Sequence, residues 1–291
     1  MPQNYLISVV VPIYERPSYV QGCLASILKN EYQYFEVLVI DQSRTDTVKT
    51  LIMEHFGKDE KIKYVHTNVV GLSHARNLGI KIAEGLLILF TDDDVIVSNG
   101  WISAYVNCYN DLIKQSIRPG VLGGPMSGMW EGSKPAWLPD EFASLFGEYN
   151  AGTEIKPFPI GDLPFGGNFC LARPCIDDIG DFPEHIGMVG MRTSAGFVRG
   201  RVGGEDSHVA LRAARRGYEL YYVPEASVQH IMSRERSTRE YFLRRLFDEG
   251  ATQMSLFFSS PPVQRENSVG WFGAQRFMSF YRCCGTGEVQ I

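Results

Sequence analysis

The stretch GLSHARNLGIKIAEGLLILFTDDD, residues 71–94, decides the fold. Residues 72–85 space their apolar side chains at helical intervals, with Gly85 expected at the C-terminal end of the helix. Leu86 to Phe90 then run apolar without alternation, as a strand buried on both faces requires. Asp92, Asp93 and Asp94 close the unit. Adjacent carboxylates repel one another, so the triplet needs water or a cation to compensate it.

The same grammar extends toward the N-terminus. LISVVVP (6–12) is a continuous β-branched run, and SYVQGCLASILKN (18–30) follows as a helix with Pro17 suited to its first turn. FEVLVID (35–41) reads as a second strand, 46–56 as a helix capped by Asp46, and IKYVHT (62–67) as a third strand. The order βαβαβαβ predicts an α/β fold with an open parallel sheet and flanking helices. Ligands of such sheets bind beyond the carboxyl ends of the strands. Acids stand at those ends: Glu15, Asp41 and the triplet.

A dinucleotide-binding enzyme would carry GxGxxG after the first strand. Here that position reads PIYERPSYV, without glycine, and no P-loop occurs elsewhere. Carboxylates holding a divalent cation that bridges a diphosphate are the alternative, and the triplet suits that role.

The remaining chain is less regular. Residues 126–150 read as a long surface excursion, in which Trp130 and Trp137 either pack locally or form an acceptor platform. Gly166-Gly167 precede an apolar strand and permit close backbone approach to a ligand, or a bulge. Residues 185–204 are Gly-rich and expected to form a mobile loop. EDSHVALRAARRG (205–217) reads as a helix, ELYYVPEASVQH (219–230) as a strand pair around a proline turn, and 237–258 as an Arg-bearing amphipathic helix. The 291 residues are 44% apolar and carry a net charge of -5, which argues against a general nucleic-acid binder. Charge is uneven: residues 1–191 hold 14 Lys+Arg against 23 Asp+Glu, whereas 192–291 hold 14 Arg against 10 acids. Arginines so placed could face a diphosphate or an anionic membrane. Six cysteines without CxxC spacing suit reduced thiols in a cytoplasmic protein. Neither a signal peptide nor a membrane-spanning run is expected.

Five segments in order, ISVVVPIYERPSYVQGCLASIL, EVLVIDQS, the 71–94 stretch, GGNFCLARP and GGEDSHVALRAARRGYELYYVPEASVQH, resemble a family 2 glycosyltransferase of the GT-A fold, over roughly residues 6–245. The resemblance implies an inverting enzyme that takes a nucleotide-diphosphate sugar, most readily a UDP-sugar, with Mn2+ or Mg2+. It implies that Pro12, Tyr14 and Glu15 border the base and ribose, that Asp41 accepts a hydrogen bond from the base, and that Arg76 reaches the nucleotide. Asp92 and Asp93 would sit near the donor, with Gly167 and Asn168 lining it. Asp94, Asp92 and His230 would hold the metal. Asp206 of the Glu205-Asp206 pair would be the catalytic base. The resemblance divides the chain into residues 1–117 for the nucleotide, 118–232 for acceptor and catalysis, and a helical extension over 233–291. The acceptor would be a hydroxyl-bearing saccharide, lipid-linked or small molecule, with no nucleic-acid partner. For residues 234–245 both a peripheral contact at the inner face of a membrane and simple packing stand open. A nucleotidyltransferase of similar fold and a non-catalytic nucleotide-sugar-binding protein are the other classes weighed.

Overall fold

The computed structural model describes residues 5–159, 161–186, 189–193, 196–200 and 203–259. The first half runs β1 (Ile7–Ile13), α1 (Pro17–Leu28), β2 (Phe35–Asp41), α2 (Thr47–Phe56), β3 (Ile62–His66), α3 (Leu72–Ile82), β4 (Leu87–Phe90), β5 (Val95–Val97) and α4 (Trp101–Lys114). Then follow β6 (Pro119–Gly123), β7 (Met126–Trp130), a 3-10 helix (Asp140–Phe146), β8 (Lys156–Pro157), β9 (Phe169–Ala172) and α5 (Arg173–Ile179). The chain continues through β10 (Val189–Thr193), β11 (Gly196–Gly200), α6 (Glu205–Arg215), β12 (Glu219–Tyr222), β13 (Val228–Met232) and α7 (Arg239–Ser259).

Every residue of β1, β2 and β4 is buried, which explains their unbroken apolar composition. These strands and β3 are parallel, in the order β3-β2-β1-β4, as the alternation of elements predicts. The sheet then becomes mixed. β9 runs antiparallel between β4 and β6, and β12 and β8 complete an eight-stranded sheet. Both halves of the chain therefore share one sheet.

Register places the site. Phe90, the last residue of β4, pairs with Phe169, the first of β9. The acids that follow β4 and the glycines that precede β9 thus meet at one edge. A second sheet, β5-β13-β7, pairs Val95 with His230 and so sets His230 beside Asp94.

Several expectations need correction. Asp46 occupies the N-cap position of α2 but makes no side-chain cap. α3 stops at Ile82, so Gly85 is no helix terminus. Its N–H donates to the Ser8 hydroxyl at 2.8 Å, and an added Cβ would lie 2.5 Å from the Ser8 nitrogen. Chain crossing, rather than helix termination, is what Gly85 permits. Within 185–204, β10 and β11 form an antiparallel pair, not an irregular loop. β12 and β13 do not pair with each other: the first joins the large sheet and the second the small one. Residues 126–150 carry a strand of the small sheet and a 3-10 helix. Trp130 lies 5.5 Å from Phe146 and Trp137 lies 5.7 Å from Phe242, ring to ring. Of the two readings of these tryptophans, local packing is the one the geometry gives. Cys23, Cys108, Cys170 and Cys175 are buried and free; Cys283 and Cys284 lie outside the described residues. Among the described residues no helix is long and apolar enough to cross a membrane.

Asn168 is fully buried at the sheet junction. Its carbonyl oxygen accepts from Trp101 Nε1 (2.8 Å) and the Tyr105 hydroxyl (2.6 Å), and its amide donates to the carbonyls of Pro125 (3.1 Å) and Ala226 (2.7 Å). All its hydrogen-bonding capacity is spent on the scaffold. Asn168→Ala takes the partner from the Trp101 Nε1–H and the Ala226 carbonyl, while the Tyr105 hydroxyl keeps the backbone carbonyl of residue 168 and the Pro125 carbonyl keeps the Val228 N–H. It should lower unfolding free energy by roughly 2–5 kcal/mol. Urea denaturation measures this; a loss below about 1 kcal/mol would contradict the role.

Candidate active site

A cleft of about 710 Å³ opens beyond the carboxyl ends of the parallel strands. Its walls come from the loop after β1, the triplet after β4, residues 165–167 before β9, the start of α6, His230 on β13, and Arg236, Tyr241 and Arg245.

The triplet is answered by guanidinium groups. Arg16 reaches Asp93 Oδ1 at 3.3 Å and Asp94 Oδ2 at 2.9 Å. Arg236 reaches Asp94 Oδ2 at 2.8 Å, and Arg76 lies 3.5 Å from Asp92 Oδ1. Glu15 helps to aim Arg16: its backbone is left-handed (φ 53°) and its N–H donates to the Ser43 hydroxyl at 2.9 Å. Asp92 remains about one-third exposed in the cleft, whereas Asp93 and Asp94 are buried. Burial pushes the Asp93 carboxyl up to about 7; Arg16 opposes that rise, and the charges of Asp94 and Asp92 add to it. Burial would raise Asp94 too, but the guanidinium groups of Arg236 and Arg16 outweigh it and hold the group below the usual carboxylate range.

His230 Nδ1 lies 3.1 Å from the Phe146 carbonyl, and Nε2 lies 2.7 Å from Arg236 Nη1 and 3.3 Å from Asp94 Oδ1. An arginine can only donate. Nε2 therefore carries a lone pair, the ring hydrogen sits on Nδ1, and the two arginines are the cations that keep Asp94 ionised. Asp94 and His230 are brought together as the sequence reading expects. Among the described residues, however, no three His, Cys, Asp or Glu side chains converge as a preformed metal cluster, because Asp92 turns toward Arg76 instead.

Arg76 is buried beneath the cleft and donates to Glu205 Oε1 at 2.7 Å. A Cβ on Gly166 would sit 2.5 Å from its Nη2, so this glycine lets the guanidinium pass. At the start of α6 the two acids diverge. Glu205 is buried against Arg76, while Asp206 is half-buried and lines the cleft, accepting from the N–H groups of Gly166 and Ser207 at 2.7 Å each. Burial and the neighbouring Asp206 charge push Glu205 up to about 7 against the pull of Arg76. An acid whose folded pKa exceeds its ordinary 4.5 binds a proton on folding. Its contribution to stability is therefore complete below that value and is lost as pH rises through about 7. The melting temperature should fall between about pH 5 and about pH 8, and Glu205→Gln should flatten that fall. An unchanged slope in the variant would contradict the shift.

Pro12, Tyr14, Glu15, Arg76, Asp92, Asp93, Asp94, Gly167, Glu205, Asp206 and His230 all line the cleft. Asp41 and Asn168 do not. Asp41 is fully buried, with Oδ1 accepting from the Ser43 N–H (2.8 Å) and Oδ2 from the Tyr64 hydroxyl (2.7 Å). To donate to Asp41, a base would have to reach an oxygen that is fully buried and already accepts one hydrogen bond. Arg16, Arg44, Arg236 and Arg245 are cleft residues that the sequence reading left out of the site. Arg16 was signalled by its place beside Glu15 on the acidic edge. Arg236 and Arg245 carry only the general signal of the Arg-rich C-terminal third, which could face a diphosphate or an anionic membrane.

Residues 8–114 match the family model of glycosyl transferase family 2. Over this segment the chain is similar to glycosyl transferase family 2. Glycosyltransferase GlyG of Streptococcus pneumoniae is 37% identical over 98 residues, which are 33% of this chain and 33% of that protein. The Escherichia coli protein named UDP-Glc:alpha-D-GlcNAc-diphosphoundecaprenol beta-1,3-glucosyltransferase WfgD is 32% identical over 98 residues, 33% of this chain and 38% of its own length. The chain thus aligns with about a third of each of these two relatives, and with as little as 13% of another among the first relatives matched. Among solved structures, the mannosyltransferase PcManGT of Pyrobaculum calidifontis, in complex with GDP-Man and Mn2+, superposes with a TM-score of 0.64 at 15% identity, over 99% of this chain and 77% of that one. S. aureus TarS 1-349 in complex with UDP-GlcNAc gives 0.62 at 18% identity, over 98% and 76%. The fold of this chain is GT-A.

Proposed function

We propose that this chain is a metal-dependent inverting glycosyltransferase that moves a sugar from a nucleotide-diphosphate donor, UDP first among the bases, to an acceptor hydroxyl. One observation carries the reading: the Asp triplet, the Glu205-Asp206 pair and His230, distant in sequence, line a single cleft at the ligand-binding edge of the sheet. The GDP-Man and Mn2+ of the Pyrobaculum protein and the UDP-GlcNAc of TarS agree with such a donor.

The donor set also fits a divalent cation. Asp94 offers a carboxylate and His230 an Nε2 lone pair oriented by the Phe146 carbonyl, a combination suited to Mn2+ or Mg2+ completed by phosphate oxygens. A cation held there neutralises charge on a departing diphosphate. The chain's own residues do the rest. Pro12, Tyr14 and Glu15 border the nucleotide, Asp92 faces the donor, and Gly166 and Gly167 let it approach the backbone. Asp206 takes the proton of the acceptor hydroxyl while its oxygen attacks the anomeric carbon opposite the diphosphate. In this reading residues 1–117 form the nucleotide-binding half, 118–232 the acceptor and catalytic half, and 233–291, of which 260–291 lie outside the described residues, an extension.

The role fits synthesis of a polysaccharide, glycolipid or other glycoconjugate in the cytoplasm. A lipid-linked acceptor would bring the chain to the inner face of a membrane. The 63% and 79% exposure of Leu243 and Phe247 on α7 supports that contact. Tyr241, Phe242 and Leu246 instead pack with Leu138, Leu145, Phe146 and Met232.

The reading is tested by nucleoside-diphosphate release from a panel of nucleotide sugars, with Mn2+, with Mg2+ and with EDTA. Slow, cation-dependent hydrolysis of at least one donor is expected. No release from any donor under any of these conditions would overturn it.

A further inference from the structure

We propose that Arg236 is a resident counter-cation of the cleft, holding Asp94 and His230 until a nucleotide diphosphate gives its guanidinium a new anion, so that divalent ion and nucleotide bind in synergy. The inference rests on the metal reading above.

The geometry is specific. Arg236 Nη2 lies 2.8 Å from Asp94 Oδ2 and Nη1 lies 2.7 Å from His230 Nε2. One planar fork therefore engages one oxygen of Asp94 and the His230 nitrogen, the two side chains that would ligate a cation. Its side chain is only 15% exposed, although it belongs to an Arg-rich run. The hydrogen bond from Nδ1 to the Phe146 carbonyl keeps the imidazole turned toward this pair. A metal ion at ~2.1 Å from these atoms would use the same lone pairs as the guanidinium. Two cations would also repel one another there. The ion and Arg236 are thus mutually exclusive at this pair.

The backbone that carries Arg236 is pinned. Its N–H donates to the Ser233 carbonyl at 2.9 Å, and Arg234 Nε donates to the Glu131 carbonyl at 3.3 Å. Exchange is therefore a swing of the flexible side chain rather than movement of the segment. Arg236 lines the same cleft as Arg16, Arg44 and Arg245, so a diphosphate lies within its reach. A guanidinium fork binds phosphate oxygens as well as carboxylates. Without nucleotide, a cation must displace Arg236 into water. With nucleotide, the displaced arginine gains phosphate partners and the cation gains phosphate ligands. Coupling of this kind is reciprocal.

The test titrates Mn2+ into the full chain, following the spin-resonance signal of the free ion, with and without UDP or GDP. Wild type should bind Mn2+ weakly alone and roughly 10-fold or more tighter with the nucleotide. Arg236→Gln should bind Mn2+ alone roughly 10-fold tighter than wild type and lose most of the nucleotide enhancement. Arg236→Lys, which keeps the charge, and Arg234→Gln, in the same turn, should stay near wild type. If wild type binds Mn2+ with nucleotide while Arg236→Gln binds it alone no better than wild type, the counter-cation role is overturned. If wild type takes up no Mn2+ even with UDP or GDP, the metal reading fails and this inference with it.

Discussion

Asp206→Asn should lower sugar transfer by ~10²–10⁴-fold, the usual cost of losing a positioned base, while donor affinity hardly changes. The two acids at the start of α6 stand in different surroundings. Glu205 is buried in an ion pair with Arg76, and Asp206 lines the cleft. Asp206 already accepts from two backbone N–H groups, which fix its direction without neutralising it. Asparagine retains one acceptor oxygen and the side-chain volume, so the loop at Gly166 keeps an anchor. Glu205→Gln can still accept from Arg76 and should be the milder change. Measuring kcat and nucleotide-sugar affinity for both variants separates the roles. Near wild-type transfer by Asp206→Asn, or a dead Glu205→Gln that still binds donor, would reverse the assignment.

Asp94→Asn should cut turnover by at least ~10²-fold, through loss of the charge that stabilises the leaving diphosphate. Asp94 is where Arg16, Arg236 and His230 all converge, and the two arginines hold its carboxylate ionised. The neutral amide can neither anchor a cation nor balance two guanidinium groups. A melting curve taken alongside kcat distinguishes a folded, inactive variant from an unfolded one. A folded variant with wild-type turnover would remove Asp94 from the mechanism.

What the sequence made legible, and what it hid, follows from range. β1, β2 and β4 are buried on both faces, so their composition alone marks them, and the helices between them force parallel pairing. The acids at the strand ends could then be assigned to one edge. Asp41 and Asn168 show the limit of that logic. Each stands where a ligand contact is plausible, yet Tyr64 and Ser43, and Trp101 and Tyr105, claim their polar atoms across the fold. The arginine partners of the triplet were hidden for a similar reason. Arg236 lies 142 residues from Asp94, and only the register of β13 against β5 brings its turn to the cleft. A helical run of arginines looks alike in sequence whether one of them points inward or all face solvent. β9 was also out of reach: a short apolar run does not reveal that it enters the sheet antiparallel.

Calorimetric titration of UDP, GDP and dTDP into the wild-type chain, with Mn2+ and with EDTA, tests the central claim most directly. The expected result is that at least one nucleotide diphosphate, UDP first, binds markedly tighter with Mn2+ present. Equal affinity with and without the ion for all three, or no binding of any, would contradict a metal-dependent nucleotide-sugar site in this cleft.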